Sequence, residues 1–184
     1  WGFRERLAPD QSWGIGYWAT LLPRICAELD PTRPHWVDSP WSGSLDVHAN
    51  DPDHGDRHTW DLKLDGYRSM VPRFTSEFGH QGPANMQSLR EALGDAALLM
   101  GSPALALRQR ANGGDEPQYA TYMDAAFRPA RDFSEWHWQA QVLQARAMET
   151  AITWLRAHPE RSSGSLFWQL NDVWTGHSWS ILDG

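Results

Sequence analysis

Apolar residues recur along this chain at two spacings. Between Trp13 and Leu29 they fall at Ile15, Trp18, Leu22, Ile25 and Leu29, the spacing of one helix face. Ser12 predicts its N-cap, Pro31 follows its end, and Pro23 predicts a kink inside it. A second helical run covers Met86 to Met100, with Leu89, Leu93, Ala97 and Met100 on one side, and a short helix is predicted over 103–110. The clearest pattern lies between Asp132 and His158. There Phe133, Trp136, Ala140, Leu143, Ala147, Ile152 and Leu155 trace a stripe that repeats about every 3.6 residues. Short apolar runs bounded by proline, glycine or polar residues predict strands at 34–40, 57–64, 73–78 and 165–172. A polar loop spans 41–56, a brief helical connection spans 67–71, and Asn112-Gly113-Gly114-Asp115 reads as a loop. Short strands alternating with helices imply parallel βαβ units and an α/β fold. About four such units fit, half of an eight-fold barrel, and half a barrel leaves two sheet edges open.

Composition narrows the picture. The chain has 184 residues and a net charge of −7, with 16 Lys and Arg against 23 Asp and Glu. An acidic balance argues against nucleic acid or an anionic membrane surface as the main partner. No stretch of 18 apolar residues is present, so no spanning helix is predicted. Lone Cys26 excludes an internal disulfide and any multi-cysteine zinc site, and it is compatible with a reducing, cytoplasmic setting. The sequence begins Trp1-Gly2-Phe3 without methionine and ends just after an apolar run, which predicts a piece of a longer protein. Tryptophan is the outlier, at 12 residues. Indoles serve either as large core side chains or as faces that stack on sugar rings.

Three groups of residues carry candidate chemistry. Glu77 follows Phe74-Thr75-Ser76 and precedes Phe78-Gly79, which puts a carboxylate at the mouth of a strand. It reads either as a glycosidase carboxylate or as a surface ion pair. Retaining glycoside hydrolysis needs such a nucleophile and a protonated carboxyl partner roughly 5–5.5 Å away. The run Trp168-Gln169-Leu170-Asn171-Asp172-Val173-Trp174 reads either as the floor of a sugar pocket or as buried indoles with capping polar groups. The loop carrying His48, His54, Asp56 and His58 reads as cleft lining or exposed loop. Metal binding by His54 and His58 would need a helix that the surrounding prolines and glycine disfavour. No phosphate loop, nucleophile elbow or paired-cysteine motif is present, and no cofactor is implied.

Arg73-Phe74 with Ser76-Glu77-Phe78-Gly79, Trp168 to Trp174, and Ser178-Trp179-Ser180 together resemble β-mannosidase of glycoside hydrolase family 2. Glu28 to Pro34 with Ser39 to Gly43, Gly55 to Trp60, and Gln139 to Ala145 are similar to further segments of that family, so the resemblance covers nearly the whole chain. It implies a (β/α)8 TIM barrel, of which residues 1–184 would be the C-terminal half, strands five to eight with their helices. It implies Glu77 as nucleophile, with Trp168, Trp174, Trp60, Ser39 and His58 lining the sugar subsite. The implied substrate is a terminal non-reducing β-D-mannose on an oligosaccharide or glycan, cleaved with retention. The chain departs from the family decisively in one respect, and Arg4-Glu5-Arg6-Leu7 further lacks the tryptophans expected after strand four. The acid/base glutamate follows an asparagine at the end of strand four, and no Asn-Glu pair occurs here. Activity would therefore need the preceding half of the same protein. A family 2 β-galactosidase or β-glucuronidase shares the Ser-Glu-Phe-Gly element, and a tryptophan-rich carbohydrate-binding module is the non-catalytic alternative.

Overall fold

A computed structural model describes residues 14–109 and 120–183. Its centre is the strand that carries the candidate nucleophile. Strand β1, Arg57–His58, runs parallel to β2, Thr75–Glu77, and Ser165 forms a parallel bridge to Thr75 on the other side. Backbone hydrogen bonds connect the three: Arg57 N donates to Phe74 O, Thr59 N to Glu77 O, Thr75 N to Gly164 O, and Leu166 N to Thr75 O. The parallel α/β order predicted from the alternation is present, but the ladders are short, and the described residues do not close a barrel.

The predicted strands are shortened or absent, and the run over 73–78 narrows to Thr75–Glu77. Residues 34–40 form no strand: the stretch is bracketed by Pro34 and Pro40, which have no N–H to give a ladder, and its side chains bond to Asp56 instead. The run predicted over 57–64 stops after His58. Leu64 has a φ of 48°, a left-handed conformation that ends extended structure and opens a 3-10 helix over Leu64–Ser69. The run predicted over 165–172 leaves β2 after Trp168 N donates to Phe78 O. Gln169 N then donates to Trp179 O, while Leu170 O accepts from Ile181 N and Leu182 N, so the chain folds back on its own C-terminal segment.

The helices follow the sequence more closely. A π-helical turn, Tyr17–Leu21, leads into α1, Leu22–Leu29. Pro23 directly follows the π-turn and so sits inside a helical run that begins at Ile15, where its missing N–H coincides with the change from π to α spacing. The apolar stripe of this helix is largely exposed; Leu29 is 78% accessible. Ser12 and Trp13 lie outside the described residues, as does the 112–115 loop. Helix α2, Met86–Leu93, is capped by Asn85, whose Oδ1 accepts from Gln87 N and Ser88 N. It ends at Gly94, φ 76°, and a 3-10 turn over Asp95–Ala97 replaces the predicted continuation to Met100. Helix α3 covers Pro103–Ala106, short of the predicted span to 110, and α4, Ala120–Ala126, was not predicted.

Helix α5, Phe133–Arg156, is the longest element, and Asp132 caps it by accepting from Glu135 N at 2.9 Å. It joins three apolar clusters. Its Ala147, Met148 and Ala151 meet Tyr67 and Phe78, Phe133 meets Leu89, Leu98 and Leu105, and Ala140 and Leu143 meet Met123. Three of these α5 residues are alanines with no exposed surface, which lets the helix lie close to the strands. Strands β3, Gly82–Pro83, and β4, His177–Ser178, pair antiparallel. Gln144 of α5 donates to His80 O at 2.9 Å and Ser180 O at 3.1 Å, tying β2's exit to the C-terminal segment.

Gly79 is where these segments approach most closely: a Cβ there would sit 2.1 Å from the carbonyl oxygen of Trp168. Backbone cannot yield as a side-chain tip can, so Gly79→Ala is expected to cost about 1–3 kcal/mol. Gly66→Ala, where a Cβ meets nothing within 4 Å, is expected to be near neutral in the same urea titration. Equal stability for the two variants would show that the Gly79–Trp168 approach is relaxed.

Candidate active site

Glu77 ends β2, and its side chain is about one quarter exposed, open enough to meet a ligand. Its Oε2 accepts from the indole N–H of Trp60 at 3.0 Å and lies 3.3 Å from Nδ1 of His58. Both partners leave the neighbouring strand, β1. The ladder explains their reach: Arg57 is opposite Thr75, but His58 is opposite Glu77, skipping Ser76. This irregularity puts the His58 ring level with the carboxylate. Trp60 is itself held edge-on against Trp179, with ring centres 5.9 Å apart, and Lys63 Nζ lies 5.2 Å from the Trp60 ring centre. Burial pushes the Lys63 ammonium pKa down, against the opposing pull of Asp61.

Behind His58 stands a second, more buried carboxylate. Asp56 Oδ1 accepts from Trp36 Nε1 at 2.8 Å and from Trp41 N at 2.9 Å, and its Oδ2 accepts from Ser39 Oγ at 2.6 Å and from Ser76 Oγ. Burial pushes its pKa up, but these donors together outweigh it and hold the carboxyl below its ordinary 3.8. Ser39 Oγ also lies 3.0 Å from Nε2 of His58, so the groups form one chain: Asp56, Ser39, His58, Glu77. Asn50 steadies the turn before β1, with its Oδ1 accepting from His58 N at 2.9 Å. Arg57 is buried and pairs with Asp61.

An open cleft of about 390 Å³, lined by His48, Asn50, Arg57, His58, Trp60 and Asp61, adjoins the Glu77 partners. A cleft of about 430 Å³ lined by Phe78, Leu155, Pro159 and Phe167 contains no acidic group and cannot supply a carboxylate nucleophile.

Four of the six residues singled out in the sequence thus converge: Ser39, His58, Trp60 and Glu77. Trp168 is adjacent through its backbone bond to Phe78, and its side chain is 43% exposed. Trp174 has a different neighbour: the Arg108 guanidinium lies 5.2 Å from its ring centre. His54 pairs with Asp51 at 2.8 Å while His58 faces Glu77, so the two histidines do not converge. Among the described residues no group of three or more His, Cys, Asp or Glu is placed to hold a metal ion. Asp56 and Trp179 are the residues that sequence reasoning undervalued. Both lie inside quoted motifs, Gly55-Asp56-Arg57-His58 and Ser178-Trp179-Ser180, and that was the available signal.

Comparison with known proteins places the chain among glycosidase sequences and folds. More narrowly, it matches "Beta-mannosidase B" of Aspergillus flavus at 31% identity over 174 residues, covering 89% of this chain and 20% of that protein. "Beta-mannosidase B" of Thermothelomyces thermophilus is 30% identical over 184 residues, covering 89% of this chain and 21% of that protein. The crystal structure of β-D-mannosidase from Dictyoglomus thermophilum superposes with a TM-score of 0.86 at 33% identity, over 95% of this chain and 22% of that one. No protein-family model matches. The chain is a relative of one segment of the β-mannosidases, as its motifs suggest, and spans about one fifth of the length of the curated relatives it matches.

Asp56 also sets a pH dependence. Its folded pKa is depressed, so its contribution to stability is complete above the ordinary value of 3.8 and is lost as pH falls through the folded value. Asp56→Asn is expected to lower stability by about 1–3 kcal/mol at neutral pH, because a buried donor loses its acceptor. The deficit should shrink in urea titrations below about pH 4. A deficit that stays constant down to pH 2 would show that the carboxylate charge is not what the donors hold.

Proposed function

We propose that residues 1–184 contribute the nucleophile half of a retaining exo-β-mannosidase site. In this reading the chain supplies strands five to eight of a family 2 (β/α)8 barrel: residues 35–39, β1, β2 and the segment from Ser165. The observation that carries it is the Glu77 carboxylate, held by Trp60 and His58 at the C-terminal end of a parallel strand, in a chain related to β-mannosidases. Parallel-barrel enzymes keep their chemistry at that end of the strands.

The chemistry has two halves. In the first, Glu77 Oε forms a bond to the anomeric carbon as the bond to the leaving oxygen breaks, and a carboxylic acid protonates that oxygen. In the second, water attacks the same carbon, the former acid takes the water's proton, and Glu77 leaves as a carboxylate. No Asn-Glu pair of the kind that carries the family's acid/base glutamate occurs in the sequence, so that carboxyl group is assigned to residues outside this chain. Trp60, Trp168 and Trp174 are the indoles assigned to sugar stacking, and Ser39 and His58 are assigned to the polar side of the subsite. The substrate is a terminal non-reducing β-D-mannose on an oligosaccharide or glycan.

In the full-length protein, Glu77→Ala is expected to cut turnover of an aryl β-mannoside by about 10⁴-fold or more. Added azide, occupying the space of the missing carboxylate and displacing the aryl group from the opposite face, should restore part of it and yield an α-mannosyl azide. Turnover like that of the unaltered protein would remove Glu77 as nucleophile. A panel of aryl glycosides, in which a galactoside or glucuronide reacted faster than the mannoside, would reassign the substrate and leave the nucleophile in place.

A further inference from the structure

Arg57 is buried to 6% exposure, yet it lines an open cleft. A guanidinium taken out of water must give its N–H groups to acceptors. Arg57 Nη1 donates to the carbonyl oxygen of Asn50, and Nη2 donates to Asp61 Oδ2. One buried cation thus ties the loop before β1 to the chain that leaves β1, and these form two walls of the cleft of about 390 Å³. Its Nε is buried and has no hydrogen-bond partner. Asn50 is fixed a second time: its Oδ1 accepts from His58 N at 2.9 Å, which leaves the amide N–H₂ to donate elsewhere. His48 Nδ1 accepts from Asn50 N at 3.1 Å, so Nε2 is the ring nitrogen left for a ligand. The Asp61 side chain is 58% exposed, with Oδ2 on Arg57 and Oδ1 outside the described hydrogen bonds. Trp60 adds an indole to the same cleft. An indole, a carboxylate oxygen, an amide donor and an imidazole nitrogen are the groups that hold a sugar ring: the first meets its C–H face, and the others meet its hydroxyls. Arg57 balances the charge of Asp61, which suits a neutral ring.

We propose that this cleft is a second sugar subsite, which takes the neutral hexose on the leaving-group side of the scissile bond. Trp60 and His58 line the cleft and also meet the nucleophile: Trp60 Nε1 donates to Glu77 Oε2 at 3.0 Å, and His58 Nδ1 lies 3.3 Å from that oxygen. The cleft and the candidate nucleophile therefore share a wall. The direction follows from exo cleavage, and the proposal rests on that reading. A terminal non-reducing mannose has no sugar beyond it, so an adjoining sugar subsite holds the unit that leaves. Asp61 Oδ1 accepts from hydroxyls of that unit, and Asn50 Nδ2 and His48 Nε2 bond to its oxygens. These contacts hold the leaving oxygen in place while Glu77 attacks the anomeric carbon. A leaving group that is only an aryl ring lacks the hydroxyls, so it can meet the indole but cannot engage Asp61.

The measurement is a ratio taken on the full-length protein: kcat/KM for a β-linked mannobiose divided by kcat/KM for an aryl β-mannoside. Any inactive fraction of a variant cancels in this ratio, because both substrates report on the same active molecules. Asp61→Asn keeps an oxygen for Arg57 and turns the acceptor that faces the cleft into a donor. It is expected to lower the ratio about tenfold, the effect of losing a hydrogen bond to a charged group. His48 is exposed, which makes His48→Ala the milder change for the fold, and it is expected to lower the ratio about threefold. A ratio like that of the unaltered protein in both variants would overturn the subsite. Release of mannobiose from the non-reducing end of a longer β-mannan oligosaccharide would put the second sugar on the other side of the bond and overturn the leaving-side assignment. Full turnover by Glu77→Ala would defeat the nucleophile reading and leave the ratio test standing.

Discussion

A carboxylate taken out of water must be given donors, and Asp56 is given four. They come from Trp36, Ser39, Trp41 and Ser76, on two separate stretches of chain, 36–41 and β2. This convergence does the work of the ladder that residues 34–40 lack. The stretch between two prolines is held beside β1 by side chains, not by backbone pairing. The same four donors determine where Ser39 stands, and Ser39 stands against His58. One buried charge therefore fixes both the edge of the sheet and the back of the candidate site. The cost of burying it is large enough that removing any donor weakens the whole arrangement.

The other side of β2 depends on close approach. Helix α5 reaches Phe78 and Tyr67 with Ala147 and Ala151, and the chain at Trp168 reaches Gly79, where no Cβ fits. Small residues on both sides let Phe78 be buried to 1% exposure directly after a candidate carboxylate that is about one quarter exposed. Along β2, Thr75 is buried, Ser76 donates to Asp56 and Glu77 turns to the opening, and Phe78 is buried against α5 once the strand has ended. Rigidity at Phe78 and Gly79 is what gives the neighbouring carboxylate a defined position.

Local patterns were legible in the sequence, and nonlocal ones were not. Helix α5 was readable almost to the residue because its stripe and its Asp132 cap are written in consecutive positions. Glu77 at a strand's mouth was readable because Gly79 follows within two residues. The strand lengths were not, since the ends of a parallel strand are decided by what it pairs with: Leu170 bonds to Ile181 and Leu182 in place of β2. The pairing of β3 with β4 joins residues nearly a hundred positions apart and leaves no local trace. Asp56 was visible as one acidic residue in a histidine-bearing loop and as a member of the Gly55 to Trp60 motif, with no role attached to it. Its four donors are spread from Trp36 to Ser76, and no spacing rule gathers them.

The irregular step between Arg57 and His58 links these two kinds of information. In a regular parallel ladder, Arg57 opposite Thr75 would put His58 opposite Ser76, and its ring would miss the carboxylate. Skipping one residue puts His58 opposite Glu77. Trp60, two residues further, then has the same facing and reaches the same oxygen. The displaced step also explains why Ser76 is left to Asp56: its hydroxyl lies between the two carboxylates' networks and donates to the buried one. Two acidic groups from adjacent strands are thereby kept apart in role. Asp56 is buried and saturated with donors, while Glu77 has one oxygen held by Trp60, 3.3 Å from His58, and its other oxygen outside the described hydrogen bonds.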